Sequence, residues 1–299
     1  MLVGVFCRPV LFFFPRFMLR AFLGCLLPGL LASHLAAATP LPPDSLAAPP
    51  HLTVGLASAT RTTYLQRAPA PAEDKGYLGT TLTYQAPSGL IGSLYLNHSY
   101  KYQTLREPFI NYGELMAGWQ SVRNSDTYWT VQYTHLFVYG ESALVQSSLR
   151  NDFSASLTQF FGLVTASASA DVFVGSTHDV VLTFDLSHQF QLPVLAHDTL
   201  SIEPTVEFGA GSQHFYAASL ATTSQVRVKR RGGTVTKTVE PATPAFSSLG
   251  YTFSLPITLA AGRFSVVATP SYLVPLHVPE GGYDASFFYL TLGVSRTFW

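Results

Sequence analysis

The chain has 299 residues, 47% of them hydrophobic and 11% charged, with 17 basic and 17 acidic side chains and no net charge. So small a charged fraction, beside roughly 25% in an average soluble domain, excludes a disordered or strongly solvated chain, and the even charge balance excludes the basic footprint that nucleic acid requires. Mean hydropathy is positive, yet no run of about 18 or more apolar residues follows residue 40, so helical membrane spans are excluded as well.

The first 38 residues read as a secretory signal peptide. Arg8, Arg16 and Arg20 precede an apolar run over 21–31, and Ala36, Ala37 and Ala38 supply the small residues of a cleavage site before Thr39. A start at Met18 gives a tidier signal, and Cys25 after Gly24 offers a lipoprotein site as the alternative. More apolar chain follows Cys25, however, where a lipobox closes its apolar run. Both cysteines, Cys7 and Cys25, fall in this segment, which leaves the mature chain without disulfides or thiolate metal ligands. Cleavage removes three arginines and no acid, leaving 14 basic against 17 acidic residues, a net charge of −3. Residues 39–50, rich in Pro and Ala, read as a periplasmic leader.

From 51 onward apolar and polar residues alternate with period two, the pattern of half-wet strands. Strands are expected at 51–64, 77–86, 90–100, 111–122, 127–138, 153–160, 163–174, 179–190, 199–212, 247–259, 263–278 and 285–299, twelve in all if 142–151 is loop. The clearest puts Val180, Leu182, Phe184, Leu186 and Phe190 on one face and Thr183, Asp185, Ser187 and Gln189 on the other. Connections alternate between short (87–89, 123–126, 161–162, 191–198, 260–262) and mostly longer (65–76, 101–110, 139–152, 175–178, 213–246, 279–284). A soluble sandwich also alternates, but its outer face carries more Lys and Glu than the Gly, Ser and Thr found here, and aromatics gather near these strand ends. The expected fold is therefore an all-β, antiparallel transmembrane β-barrel over 51–299, with tight periplasmic turns, external loops and both termini inside.

The last strand carries the most specific signal: Phe288, Leu290, Leu292, Val294 and Phe298 alternate up to a terminal aromatic. In this the chain resembles a bacterial outer-membrane β-barrel protein over 51–299, and is similar to porin-like barrels of Bacteroidota-type bacteria. The resemblance implies recognition of that strand by the barrel assembly machinery and residence in the outer membrane among its lipids and lipopolysaccharide. Trp299 after Phe298, and Arg296 within the oily face, depart from the pattern.

A lumen of about twelve strands lies between side-chain-filled barrels and open porins. By fold-level analogy the first expectation is a passive diffusion channel for small solutes, with no cofactor. Asp171, Asp185, Glu203 and Glu207, with Glu114 as a fifth, fall on the inward face, and the turn 191–198 is expected to set Asp185 opposite Glu203 or Thr205. Only Arg61 and Arg263 stand as inward counter-charges, which favours a weakly cation-selective wall over a salt-bridged plug. The second expectation is a structural or ligand-binding barrel using the loop 213–246. Its β-rich arms around Gly232 and Gly233 carry Arg227, Lys229, Arg230, Arg231 and Lys237, which suits lipopolysaccharide phosphates or an acidic ligand, although a solvated hairpin whose charge keeps a strand edge from aggregating accounts for them slightly better. The third, a lipid hydrolase or deacylase, rests on Asn97, His98 and Ser99, yet adjacent strand residues face opposite ways and cannot act as nucleophile and base together. His178 with Asp179, and His197 with Asp198, read as solvated turn pairs, not metal ligands. Gly209 and Gly211 lack the following helix that a phosphate loop needs.

Overall fold

A strand with one apolar and one polar face suits a boundary between hydrocarbon and water, but inside a bilayer the edges of its sheet have no water to bond. Closure removes the edges. The computed structural model describes residues 50–61, 76–99, 110, 112–124, 126–138, 150–175, 177–195, 198–214, 246–278 and 284–298. Within them one antiparallel sheet closes on itself, first strand against last, from Leu52↔Phe298 to Ala59↔Thr291 in unbroken register.

The first seven segments are β1 (His51–Ala59), β2 (Tyr77–Gln85), β3 (Leu90–Ser99), β4 (Tyr112–Asn124), β5 (Thr127–Val138), β6 (Asn151–Phe161) and β7 (Val164–Val174). Then come β8 (His178–Ser187), β9 (Phe190–Leu195), β10 (Asp198–Ile202), β11 (Thr205–Gly211), β12 (Ser247–Ser254), β13 (Ile257–Ala261), β14 (Phe264–Pro275) and β15 (Phe287–Phe298). The pairs β8 with β9, β10 with β11 and β12 with β13 are halves of three long strands, so the segments make twelve barrel strands. The three breaks lie side by side: His188 N–H donates to Pro204 O at 3.3 Å and Glu203 N–H to Pro256 O at 2.9 Å. Pro204 and Pro256 have no N–H to give the ladder, and regular pairing stops there.

Apolar side chains such as Leu56, Leu115, Leu157, Phe184 and Leu186 stand on the outer wall, exposed. Aromatics bound this band at both ends: Tyr84, Trp119, Trp129 and Phe264 near the short turns, Tyr133, Phe153, Tyr272 and Phe288 toward the other rim. Among the described residues no helix is long and apolar enough to cross a membrane. Twelve antiparallel strands, an apolar band between two aromatic girdles, and both ends of the sheet at the rim of the short turns make this an outer-membrane β-barrel.

The expected strands all form, with two corrections. Residues 191–195, expected as turn, continue the strand as β9, which pairs with β10 as far as Leu195↔Asp198. Pro193 is tolerated because β9 pairs on one side only, with β10. The alternation that puts Tyr251 and Phe253 on the outer wall would put Leu249 there too, but it is fully buried at a bulge, where Gly209 pairs with Gly250 but Ala210 with Ser248. In β15 the expected alternation holds, and Phe288 is exposed. Arg296 keeps its place on the oily face by lying over two rings, 5.1 Å from the Phe264 centroid and 4.8 Å from that of Phe298. Trp299 and the segment 142–149 lie outside the described residues.

The first short turn is tightly held. Trp119 Nε1 donates to Ser88 O at 2.8 Å, and Trp119 meets Trp129 edge-on at 4.7 Å. Gly89 has φ of +88°, and a Cβ there would lie 2.1 Å from Gln120 O. Gly162, at φ +72°, meets nothing within 4 Å. Gly89→Ala is therefore expected to destabilise the refolded barrel by about 2–4 kcal/mol, while Gly162→Ala loses only the roughly 1 kcal/mol of a left-handed alanine. Guanidinium unfolding in lipid vesicles measures both, and equal losses would contradict the contact with Gln120. Topology gives a second expectation. A thiol reagent that does not cross the membrane labels Asp284→Cys on intact cells but Ser88→Cys only after the outer membrane is opened; the reverse would invert the barrel.

Candidate functional site

Register decides which side chains enter the lumen, because alternate positions fall on opposite faces. On β6 the inward positions are Asp152, Ser154, Ser156 and Thr158; on β7 they are Thr165, Ser167, Ser169 and Asp171. On β8 they are Asp179, Val181, Thr183, Asp185 and Ser187, and β11 adds Glu207. Hydroxyls stitch this wall together: Thr158 and Ser167 share a 3.0 Å bond and Ser169 Oγ donates to Asp171 Oδ2 at 3.3 Å. Most of these side chains are only half-buried, so the lumen keeps space beside them.

The opposite arc is built differently. Tyr77, Tyr95, Tyr112, Leu273, Phe287 and Tyr289 are all buried, on β2, β3, β4, β14 and β15. Tyr95 meets Tyr112 edge-on at 6.3 Å, and Phe287 lies 5.9 Å from Tyr289. Tyr95 crosses Gly79 so closely that a Cβ there would fall 2.6 Å from the ring, and any larger residue would have to displace it. Counting around the closed sheet, this arc is centred six strands from β7, across the diameter. The lumen thus has a carboxylate and hydroxyl side facing an aromatic side. The tyrosines were missed in the sequence because an aromatic among apolar neighbours reads as lipid-facing. Parity was the available signal, since Tyr95 lies between Leu94 and Leu96, and Tyr289 between Phe288 and Leu290.

Asp171, Asp185, Glu207 and Glu114 all stand at inward positions. The expected facing of Asp185 with Glu203 or Thr205 is corrected: Asp185 pairs with Glu207, and Thr205 with Ser187. With β9 running on to Leu195, every cross-strand partner moves toward higher numbers. Glu203 sits at a strand break, accepting from Ser187 Oγ at 2.7 Å. Asp152, whose strand begins two residues earlier than expected, joins the wall and lies within electrostatic reach of Asp171 and Glu114. Tyr112 OH donates to Glu114 Oε1. Arg61 follows β1, its guanidinium 5.1 Å over the Phe287 ring, in the aromatic arc. Arg263 lies exposed in the 262–263 turn, at the rim of the short turns, where its carbonyl accepts from Thr297 N–H at 2.9 Å. Arg227, Lys229, Arg230, Arg231 and Lys237 fall outside the described residues.

Asp179 is likewise no solvated turn residue. Fully buried, it takes Ser212 Oγ at 2.6 Å, the backbone N–H of His214 at 2.8 Å and His214 Nδ1 at 2.8 Å, all on Oδ1. Gln213 Nε2 donates to Ser247 Oγ at 3.3 Å and to His277 O at 3.2 Å. The end of β11 is thereby clamped to β8, β12 and the end of β14 at the rim of the longer loops. Asp179→Ala strands a buried cluster of donors, and a loss of about 2–3 kcal/mol is expected in vesicle unfolding, with Asp179→Asn keeping part of it. No loss in either variant would remove the clamp from this account.

No family model and no curated protein matches the chain. Solved structures similar to it include the KdgM porin, 8% identical over 84% of this chain and 99% of that one with a TM-score of 0.46. LpxR from Salmonella typhimurium is 8% identical over 82% and 99%, with a TM-score of 0.46. An outer membrane channel from Pseudomonas putida F1 is 12% identical over 84% and 96%, again at 0.46.

Proposed function

We propose that this barrel is a passive diffusion channel for small solutes with weak preference for cations, exported with cleavage after Ala38. The observation that carries the reading is the charge of the inward wall. Glu114, Asp152, Asp171, Asp185, Glu203 and Glu207 line it or stand at its strand break, while Arg61 lies over Phe287 in the aromatic arc. Fixed carboxylates in a narrow aqueous lumen attract cations and repel anions. Small Ser and Thr neighbours leave Asp171, Asp185, Glu203 and Glu207 half-buried, so water and solute can reach them.

The hydrolase reading finds less support in the geometry. Ser212 donates to Asp179 rather than to His214, so that trio lacks the serine–imidazole bond of an activated nucleophile. His135 bonds Asn151 at 2.9 Å on the outer wall, but the hydroxyl bonded to that asparagine is the Tyr133 phenol. His98 and Ser99 occupy successive register positions on β3, as the strand requires. We therefore read the protein as non-enzymatic.

Reversal potentials in a KCl gradient across a planar bilayer test the channel. The expected preference is for K⁺ over Cl⁻, falling by about twofold or more when Asp185→Asn and Glu207→Gln are combined, because that facing pair is the densest charge on the wall. Anion preference, or a preference unmoved by the double variant, would overturn the reading.

A further inference from the structure

We propose that Glu114, Asp152 and Asp171, together with Asn97 and the Tyr95–Tyr112 pair, form a binding site in the lumen for an organic ammonium ion carrying an apolar flank. The proposal rests on the channel reading and names its solute class.

These residues sit at the seam between the two sides of the lumen. β3 and β4 bring Asn97, Tyr95, Tyr112 and Glu114 to adjacent inward positions, through the pairs Asn97↔Tyr112 and Tyr95↔Glu114. β6 and β7 bring Asp152 and Asp171, offset by one pair of residues. Asp152 lies within electrostatic reach of both other carboxylates.

Two buried acceptors there lack a donor. Asn97 is 2% exposed; its Nδ2 donates to Tyr95 OH at 2.7 Å, while its Oδ1 accepts nothing. Asp152 Oδ1 is also buried and accepts nothing. A buried unmatched acceptor is costly, and two of them, one belonging to a carboxylate with Glu114 and Asp171 in electrostatic reach, ask for the same thing, a positively charged N–H donor. Water donates but does not neutralise.

The spacing selects the kind of cation. Among the described residues no three His, Cys, Asp or Glu side chains come close enough to hold a metal ion. A bare ion would leave most of these oxygens out of reach. A polyatomic ammonium can donate to Asn97 and Asp152 while its flank packs on the phenol pair, whose ring faces attract positive charge. The two-sided lumen matches such a solute end to end.

The test uses 2-phenylethylammonium chloride as the probe, with the full mature chain refolded in detergent and in bilayers. Folding of each variant is checked by heat-modifiable gel migration. Equilibrium binding by calorimetry is expected for the wild type, weakened about tenfold or more in Asp152→Asn and in Asn97→Leu, and unchanged in Asp126→Asn at the periplasmic turn. In bilayers the probe is expected to reduce the K⁺ current in the wild type and far less in Asp152→Asn. If Asp152→Asn does not fold, Asp171→Asn and Asn97→Leu carry the same comparison. No binding by the wild type, or equal binding by the folded site variants, overturns the site whether or not the barrel conducts. Binding lost in the site variants, from a barrel that passes no current, upholds the site and overturns the channel.

Discussion

Everything in this molecule depends on the hydrogen-bonded seam between β1 and β15. In hydrocarbon an unpaired backbone N–H or C=O costs several kcal/mol, so a sheet of this length with open edges has no stable existence in a membrane. Once the ends of the sheet meet in an antiparallel seam, the outer ends of β1 and β15 lie at one rim and the number of strands is even. Alternate side chains are committed to lipid or lumen by parity alone. Arg296 shows how strict this is. The register fixes it on the lipid side, and the chain accommodates the charge locally by laying the guanidinium over Phe264 and Phe298 near the girdle.

Where the seam holds regularity everywhere else, the crease at 188–189, 203–204 and 255–256 relaxes it. Three neighbouring long strands interrupt their ladders at one level, with Pro204 and Pro256 as the cause and cross-strand bonds to their carbonyls as the repair. The crease turns Glu203 out of regular pairing and lets Ser187 reach it. It thereby sets the lower part of the carboxylate wall, so a backbone irregularity has a consequence for the charge lining the lumen.

The barrel was legible in the sequence because period two is a local signal that survives without any knowledge of partners. Val180 to Leu186 announces its faces in seven residues. What was not legible depended on pairing. Gln191 and Pro193 read as turn when each is taken alone, but Pro193 is harmless on the unpaired side of β9, and the hairpin reverses later than expected. That single displacement moved Asp185 from Glu203 to Glu207. Asp152 was missed for being one position outside an expected strand. The buried tyrosines were hidden for a different reason: a phenol is apolar enough for lipid and polar enough for a lumen, so its side is decided by register and not by its chemistry.

The two-sided lumen follows from one further constraint. Carboxylates packed against one another in a dry core would lose far more in desolvation than Ser and Thr hydroxyls could return. A wall that concentrates them on β6 to β11 is therefore stable only beside water. A barrel of this circumference lined all round with small polar groups would in turn leave its inner wall with little side-chain packing. The aromatic arc supplies that packing on the opposite side, where Tyr95 over Gly79 and the Leu273, Phe287 and Tyr289 cluster bury apolar area against the sheet. Stability and charge are thus placed on opposite halves of the same ring. A solute held in the lumen would meet both at once, which is why the proposed preference is for a cation with an apolar flank.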